Sequence, residues 1–265
     1  MAPTDEAQRF TGWPVLGGPP PAGGVAWVIG VGARQGTGAA IARRLAAGGM
    51  HVLVTGRTEE KLAAVVADIE DKGGTAASAV ADAGTEAGLA GPLAKLDELG
   101  PPLVCVYNAG GSQWRPSILD MDAQFFESVW RTNCLGSFLV AREAARRMTA
   151  RGGGAILFTG SVSGLVGRPK LAAYASAKFG QRALVQALAR EFAPRNIHVA
   201  NVIPHGPIDG DRLNSQFPDA KDRRPVDGMI GIDAIAETFW QLLVQPRSAW
   251  TLEIDLRPYC EPFSV

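Results

Sequence analysis

The sequence predicts an α/β fold in which a parallel sheet is covered by helices on both faces. From Gly24 onward, short apolar runs alternate with longer stretches whose apolar residues recur at helical spacing, the pattern of strand–helix units. A glycine cluster follows the first run and opens the first helical stretch. No internal repeat, low-complexity core segment or second domain interrupts the series. Taken in order, residues 25–30 (VAWVIG) read as a buried strand, 38–47 as a helix, 51–55 (HVLVT) as a strand and 59–72 as a helix. Residues 75–81 form a third strand, 89–99 a helix, 103–107 a fourth strand and 125–149 one long helix. Residues 155–159 (AILFT) are a fifth strand, 173–192 a helix, 197–203 a sixth strand, 233–244 a helix and 250–256 a seventh strand. About seven strands wound in this way make a Rossmann-type, doubly wound sheet in a single domain. Ligands of such sheets bind beyond the carboxyl ends of the strands.

Residues 24–265 are expected to form that domain, and residues 1–23 a flexible arm, on the strength of the GGPPPAGG stretch at 17–24, the alternative being that the stretch packs on the domain or on a neighbouring subunit. Residues 206–231, rich in Pro, Gly and Asp, interrupt the alternation and are long enough to form a lid over the site. Of 265 residues 46% are hydrophobic, and 26 basic side chains balance 26 acidic ones. That composition supports a sizeable core and lacks the basic footprint of a nucleic-acid binder. Three scattered cysteines, no apolar run of membrane-spanning length and no basic-then-apolar leader point to a reducing, cytoplasmic setting.

The turn Gly32-Ala33-Arg34-Gln35-Gly36-Thr37-Gly38 lies between the first strand and the first helix. Glycines there allow a tight turn and close approach of a pyrophosphate, which the free N–H groups and the helix dipole attract. Thirty-two glycines scatter through the chain, so an ordinary tight turn is the alternative; the strand–turn–helix context favours a dinucleotide. The second strand ends in Thr55-Gly56-Arg57-Thr58. NAD sites place an acid there for the ribose 2′-OH. Arg57 is instead a fixed cation suited to a 2′-phosphate, and Arg34 could reach the same group. NADP(H) is therefore expected over NAD(H), the alternative being that both arginines are solvated surface charges.

Tyr174-Ala175-Ser176-Ala177-Lys178 opens a helix and sets a phenol and an ammonium on one face, one turn apart. A phenol titrates at about 10 in water. A neighbouring ammonium, with a positive nicotinamide, lowers that value and lets Tyr174 act as acid towards a carbonyl and as base in reverse. Chance pairs at this spacing are common. Ser161, just past the fifth strand, can hydrogen-bond a substrate oxygen, with Ser163 as a rival. Asn133 lies inside the long helix, where a buried amide needs partners; it is either structural or holds a water leading to Lys178.

In combination these motifs resemble the short-chain dehydrogenase/reductase family in its common single-domain form, over about residues 25–256. The resemblance rests on Gly32…Gly36…Gly38, Asn108-Ala109-Gly110, Asn133, Ser161, and Tyr174 with Lys178. Ser161 precedes Tyr174 by thirteen positions, the family spacing, which favours it over Ser163. The resemblance implies Tyr174 as acid/base, Lys178 bonding the nicotinamide ribose, Ser161 orienting the substrate oxygen and Asn133 holding a relay water. It implies Asn108, Ala109 and Gly110 along the adenosine ribose, Asp82 and Ala83 at the adenine, and Pro204, Gly206 and Ile208 near the nicotinamide. It further implies a homodimer or homotetramer assembled through the long helices at 125–149 and 173–192. Trp114, Arg115 and Phe217 would border a small-molecule substrate, an apolar or aromatic-bearing ketone.

The departures from the family are Val31 for a Thr, Tyr107 for an Asn, and the turn Pro204-His205-Gly206-Pro207-Ile208-Asp209. In that turn either His205 replaces the glycine or Gly206 takes its place after an insertion, and Asp209 or Gly210 stands where a Thr is usual. Metal-protease, paired-cysteine zinc and phosphate-loop patterns are absent. Gly160-Ser161-Val162-Ser163-Gly164 fails as a hydrolase elbow because its central residue is Val162. The leading expectation is a ketoreductase or alcohol dehydrogenase. The alternatives are a non-catalytic NADP-binding sensor or scaffold, since fold does not dictate function, and a net non-redox reaction such as epimerisation.

Overall fold

The structure, a computed structural model, describes residues 13–14, 17–110 and 116–262. The chain runs β1 (Val25–Ile29), α1 (Thr37–Ala47), β2 (His51–Gly56), α2 (Glu59–Glu70), β3 (Thr75–Val80), α3 (Ala90–Leu99), β4 (Val104–Tyr107), α4 (Ala123–Trp130), α5 (Gly136–Arg151) and β5 (Gly154–Thr159). It continues with α6 (Ala172–Phe192), β6 (Ile197–Pro204), β7 (Ile208–Asp209), α7 (Asp211–Gln216), β8 (Ile230–Gly231), α8 (Ile232–Leu243) and β9 (Glu253–Leu256).

Seven strands form one parallel sheet in the order β3-β2-β1-β4-β5-β6-β9. The order reverses between β1 and β4, so the cleft opens above their carboxyl ends. The short strands β7 and β8 pair with each other apart from this sheet.

Side chains alternate across the pleat and divide the core in two. Ala26, Val28, Val52, Val54, Val104, Val106, Leu157 and Val202 pack under α1, α2 and α8. Trp27, Ile29, Leu53, Tyr107, Ile156, Phe158 and Val199 pack under α3, α5 and α6. This is why the strands read as unbroken apolar runs: each face is covered. Each such side chain contributes roughly 1.5–3 kcal/mol by leaving water. The Trp27 indole is fully buried, and its Nε1 donates to Thr55 Oγ1 at 3.0 Å, so no polar atom is stranded.

One expectation needs correction. The helix expected over 125–149 is not regular. α4 is capped by Asp122, whose Oδ1 accepts from the Phe125 N–H at 2.6 Å. It then widens into a π turn at Arg131–Leu135 before α5 resumes. Periodicity cannot show a one-residue widening, because both flanks keep helical spacing. Where the arm is described it follows the alternative reading and packs on the domain. Trp13 Nε1 donates to Gly18 O and Leu243 O at 3.1 and 3.2 Å, and the Gly18 N–H donates to Val244 O at 2.9 Å. The Trp13 ring packs on the α1/α8 side of the core. Burial of one indole outweighs the freedom of the glycines and prolines around it. No helix among the described residues is long and apolar enough to cross a membrane.

Candidate active site

The glycine loop is shaped by close backbone approach. Gly30 has φ +87°, and a Cβ there would sit 2.2 Å from Ala109 N. A Cβ on Gly38 would lie 2.6 Å from Gly30 O and 2.8 Å from Asn108 Nδ2, so α1 can approach the sheet only with glycine at that position. Asn108 ties three strand ends together: its Nδ2 donates to Gly30 O at 3.0 Å, and its Oδ1 accepts from Thr159 Oγ1 at 2.9 Å. Gly32 faces open space. Gly36 caps α1 without a side-chain hydrogen bond, and Thr37 is the first helical residue. First-turn N–H groups without a side-chain cap beside an open glycine fit an anionic group such as a dinucleotide pyrophosphate.

Around this loop, Arg57 is exposed at the end of β2 and makes no hydrogen bond or ion pair with the described residues. Arg34 is instead joined to Asp68 of α2 by two charge-assisted hydrogen bonds, which hold its guanidinium charge more firmly. Asp82 Oδ1 accepts from the Gly84 N–H at 3.0 Å beyond β3, and Ala83 is buried beside it.

Across the cleft, α6 presents Tyr174 and Lys178. Lys178 is buried, and its Nζ donates to Thr159 O and to Gln181 Oε1, both at 2.9 Å. Nζ lies 5.9 Å from the Tyr174 ring centre. Burial, and then the Arg212 cation, bring the Lys178 pKa down from the usual lysine range to about 7, while Cys134 opposes them. Asn133 occupies the π turn, fully buried, with its Nδ2 donating to Val129 O at 2.8 Å. A Cβ on Gly110 would meet Asn133 Oδ1 at 2.5 Å and Lys178 Nζ at 3.5 Å. Asn133, Gly110, Thr159 and Lys178 therefore converge, although they come from four separate segments.

Ser161 stands at the end of β5 with its Oγ accepting from the Ser163 N–H at 3.1 Å; Ser163 is buried beneath it. Tyr107, one of the departures, has a clear structural role. Its buried hydroxyl donates to Thr132 O at 2.5 Å and so anchors the π turn that presents Asn133.

Residues 206–231 cross the cleft. The Gln35 N–H donates to Asp211 Oδ2 at 3.0 Å, the Asp211 N–H donates to Gln35 O at 2.9 Å, and Arg212 Nη1 donates to Gly110 O at 2.9 Å. The segment thus touches both sides of the topological switch. At the altered turn, Pro204 ends β6 and Gly206 takes the left-handed backbone, φ +131°. His205 is buried, 3.2 Å from Asp255 Oδ1 and 3.3 Å from Arg257 Nη2. Ile208 lies in β7, and Phe217 is exposed at the end of α7. Trp114 and Arg115 fall outside the described residues. Sequence reasoning missed Gly30, Gln181 and Arg212 as site residues. Gln181 had a legible signal, since it is a polar side chain in the stripe Lys178, Gln181, Val185, Leu188 that α6 buries.

Strand order, glycine loop and cleft define a Rossmann-type, doubly wound α/β protein. The short chain dehydrogenase family model matches residues 26–221. The chain belongs to that family. A 3-oxoacyl-[acyl-carrier-protein] reductase of Mycobacterium bovis is 37% identical over 187 residues, 69% of this chain and 70% of that protein. A short-chain dehydrogenase from Rhodopseudomonas palustris superposes with TM-score 0.76 at 38% identity, covering 90% of this chain and 100% of that one. A metagenomic short-chain oxidoreductase in complex with NADP has TM-score 0.76 at 29% identity, covering 89% and 98%. A 7α-hydroxysteroid dehydrogenase complexed with NADH and a 7-oxo bile acid has TM-score 0.80 at 27% identity, covering 90% and 94%.

Proposed function

We propose that this enzyme of the short-chain oxidoreductase family interconverts a ketone or aldehyde and an alcohol with NADP(H), using Tyr174 as acid/base. The observation that carries the reading is the Lys178 ammonium, buried one helical turn from Tyr174 and hydrogen-bonded at the carboxyl edge of the sheet. The nicotinamide, when bound, supplies or accepts the hydride. Tyr174 Oη donates its proton to the substrate oxygen, and Ser161 Oγ donates a hydrogen bond to the same atom. Lys178 stabilises the phenolate left behind. Asn133 holds a water that returns a proton from solvent. In alcohol oxidation the same groups run in reverse.

The glycine loop, Thr37 and Gln35 would hold the pyrophosphate, and Asn108, Ala109 and Gly110 the adenosine ribose. Asp82 and Ala83 would flank the adenine, with Pro204, Gly206 and Ile208 beside the nicotinamide. One relative carries NADP and another NADH, so the preference rests on Arg57, a free cation where NAD sites carry an acid. Residues 206–231 act as the lid. A narrow pocket beside Tyr174, about 10 Å³, is lined by Pro116, Met121, Phe125, Lys170, Leu171 and Ala173; its mostly apolar lining favours an apolar or aromatic-bearing small-molecule carbonyl, which would enter only if the pocket widens. We place the enzyme in the cytoplasm as a homodimer or homotetramer, assembled on α4, α5 and α6.

The test is a panel of ketones, aldehydes and alcohols assayed with NADPH and with NADH. Consumption of NADPH in preference to NADH is expected with at least one apolar carbonyl. Tight NADPH binding without turnover of any of them would instead support a binding-only protein.

A further inference from the structure

We propose that Gln181 is a positioning residue for Lys178: its Oε1 is the buried neutral acceptor that keeps Nζ charged and in place one turn from Tyr174. The proposal rests on the reading of Tyr174 and Lys178 as the acid/base pair.

An ammonium has three N–H donors. One goes to Thr159 O and one to Gln181 Oε1, each at 2.9 Å. Nζ otherwise faces the Gly110 backbone and Asn133 Oδ1, where a Cβ on Gly110 would be 3.5 Å from Nζ. No carboxylate pairs with Lys178 among the described residues. The titratable or charged groups that bear on it are Arg212 from α7, Cys134 from the π turn and Tyr174 on α6 itself. The hydrogen-bond acceptors of this buried lysine are thus neutral oxygens, with only Cys134 favouring the charge electrostatically, and burial with the Arg212 cation brings its pKa to about 7. Removing an acceptor from the charged form disfavours the ammonium.

A second observation separates this role from ordinary packing. Gln181 is 1% exposed, and its Nε2 is buried with no hydrogen-bond partner among the described residues. A buried orphan donor is destabilising, and the position lies between Lys178 and the apolar Val185 and Leu188 on the buried face of α6, where a leucine would leave no orphan. The glutamine is explained by its oxygen, which has a partner, and not by its nitrogen, which has none.

The test reads Lys178 directly. The chain has six lysines, so protein labelled at lysine Cε gives few resonances, and Lys178→Met identifies the one that matters. In the cofactor-free protein Gln181→Leu removes an acceptor from the charged form and is expected to lower the Lys178 midpoint by about one pH unit, tenfold in the protonation equilibrium. Gln181→Glu puts a carboxylate in reach and is expected to raise the midpoint by at least about as much. The pH profile of turnover should change in both variants, and a packing role would leave the Gln181→Leu midpoint in place, while the glutamate shift reports that position 181 reaches Nζ. A midpoint unmoved in Gln181→Leu overturns the proposal; if that variant fails to fold, Gln181→Met, which also lacks the acceptor oxygen, decides in its place. Shifted midpoints in a protein that turns over no carbonyl would overturn the oxidoreductase reading and leave the Gln181 assignment standing.

Discussion

Tyr174 carries a prediction that separates chemistry from binding. Its hydroxyl is assigned to the proton, while the cofactor is assigned to the glycine loop, Asn108 and Lys178. Tyr174→Phe keeps the ring beside Lys178 and removes only the oxygen. Turnover is expected to fall by roughly 10²-fold or more, the usual worth of a general acid, with NADPH affinity within about threefold of wild type. A variant retaining most of its activity in steady-state assays would reassign the acid/base. Arg57 is the corresponding test of cofactor choice. Hydrogen bonds to charged groups are worth about 1.5–3 kcal/mol, so Arg57→Ala should weaken NADPH by about tenfold or more in a fluorescence titration and NADH hardly at all. Equal losses for both cofactors would remove the 2′-phosphate contact. Arg34 shows why sequence position alone was insufficient here: it sits in the loop as expected, but its guanidinium is held by Asp68.

The helical run from Ala123 to Arg151 carries the clearest local irregularity beside the proposed site. A π turn interrupts it at Arg131–Leu135, and such insertions often mark functional positions. Here the wider turn buries Asn133, whose amide donates to Val129 O, and Tyr107 reaches up from β4 to Thr132 O. Tyr107→Phe deletes that one hydrogen bond, at a cost of about 1 kcal/mol, and loosens the turn beneath Asn133. The expected result is a few degrees' loss of Tm together with a several-fold fall in kcat and a nearly unchanged KM. A purely structural Tyr107 would lower Tm and leave kcat alone.

The proposed assembly and the pH response belong to the molecule as a whole. Phe126, Trp130, Phe138 and Phe179 are each exposed on the helices α4–α6, an apolar surface that a second copy would cover. Trp130→Arg should shift the particle mass towards monomer in light scattering, and an unchanged mass would place the subunit contact elsewhere. Lys178 links the core to pH. Its folded pKa, about 7, lies below the ordinary 10.5, so between those values the unfolded chain binds more protons than the folded one. Stability therefore rises with pH across that window, and the full penalty of a buried cation is felt below about pH 7. Lys178→Met removes the penalty. The cofactor-free variant is expected to be more stable than wild type by on the order of a few kcal/mol near pH 6, with the advantage shrinking towards pH 10. Thermal melts of both proteins at the two pH values check the sign, and an advantage that grows with pH would contradict it.

Strands β1, β2, β4, β5 and β6 were legible because each is a short apolar run covered on both faces, whereas the edge strands β3 and β9 are less buried; the ends of all seven fell within a few residues of the expected ones. The glycine loop and the Tyr174–Lys178 pair were legible for the same kind of reason: each is a spacing within one continuous segment, set by the geometry of a turn or a helix. Nothing local could place Thr159 O against Lys178 Nζ, nineteen residues away, or bring Asn133 and Gly110 to the same point. Nor could local pattern reveal the π turn, the docking of Trp13 or the crossing of Arg212 to Gly110. Periodicity and motif spacing are properties of the chain and survive in the sequence. The charge state of Lys178 and the acceptors that hold it are set by desolvation and long-range contact, and these exist only once the layers have closed around it.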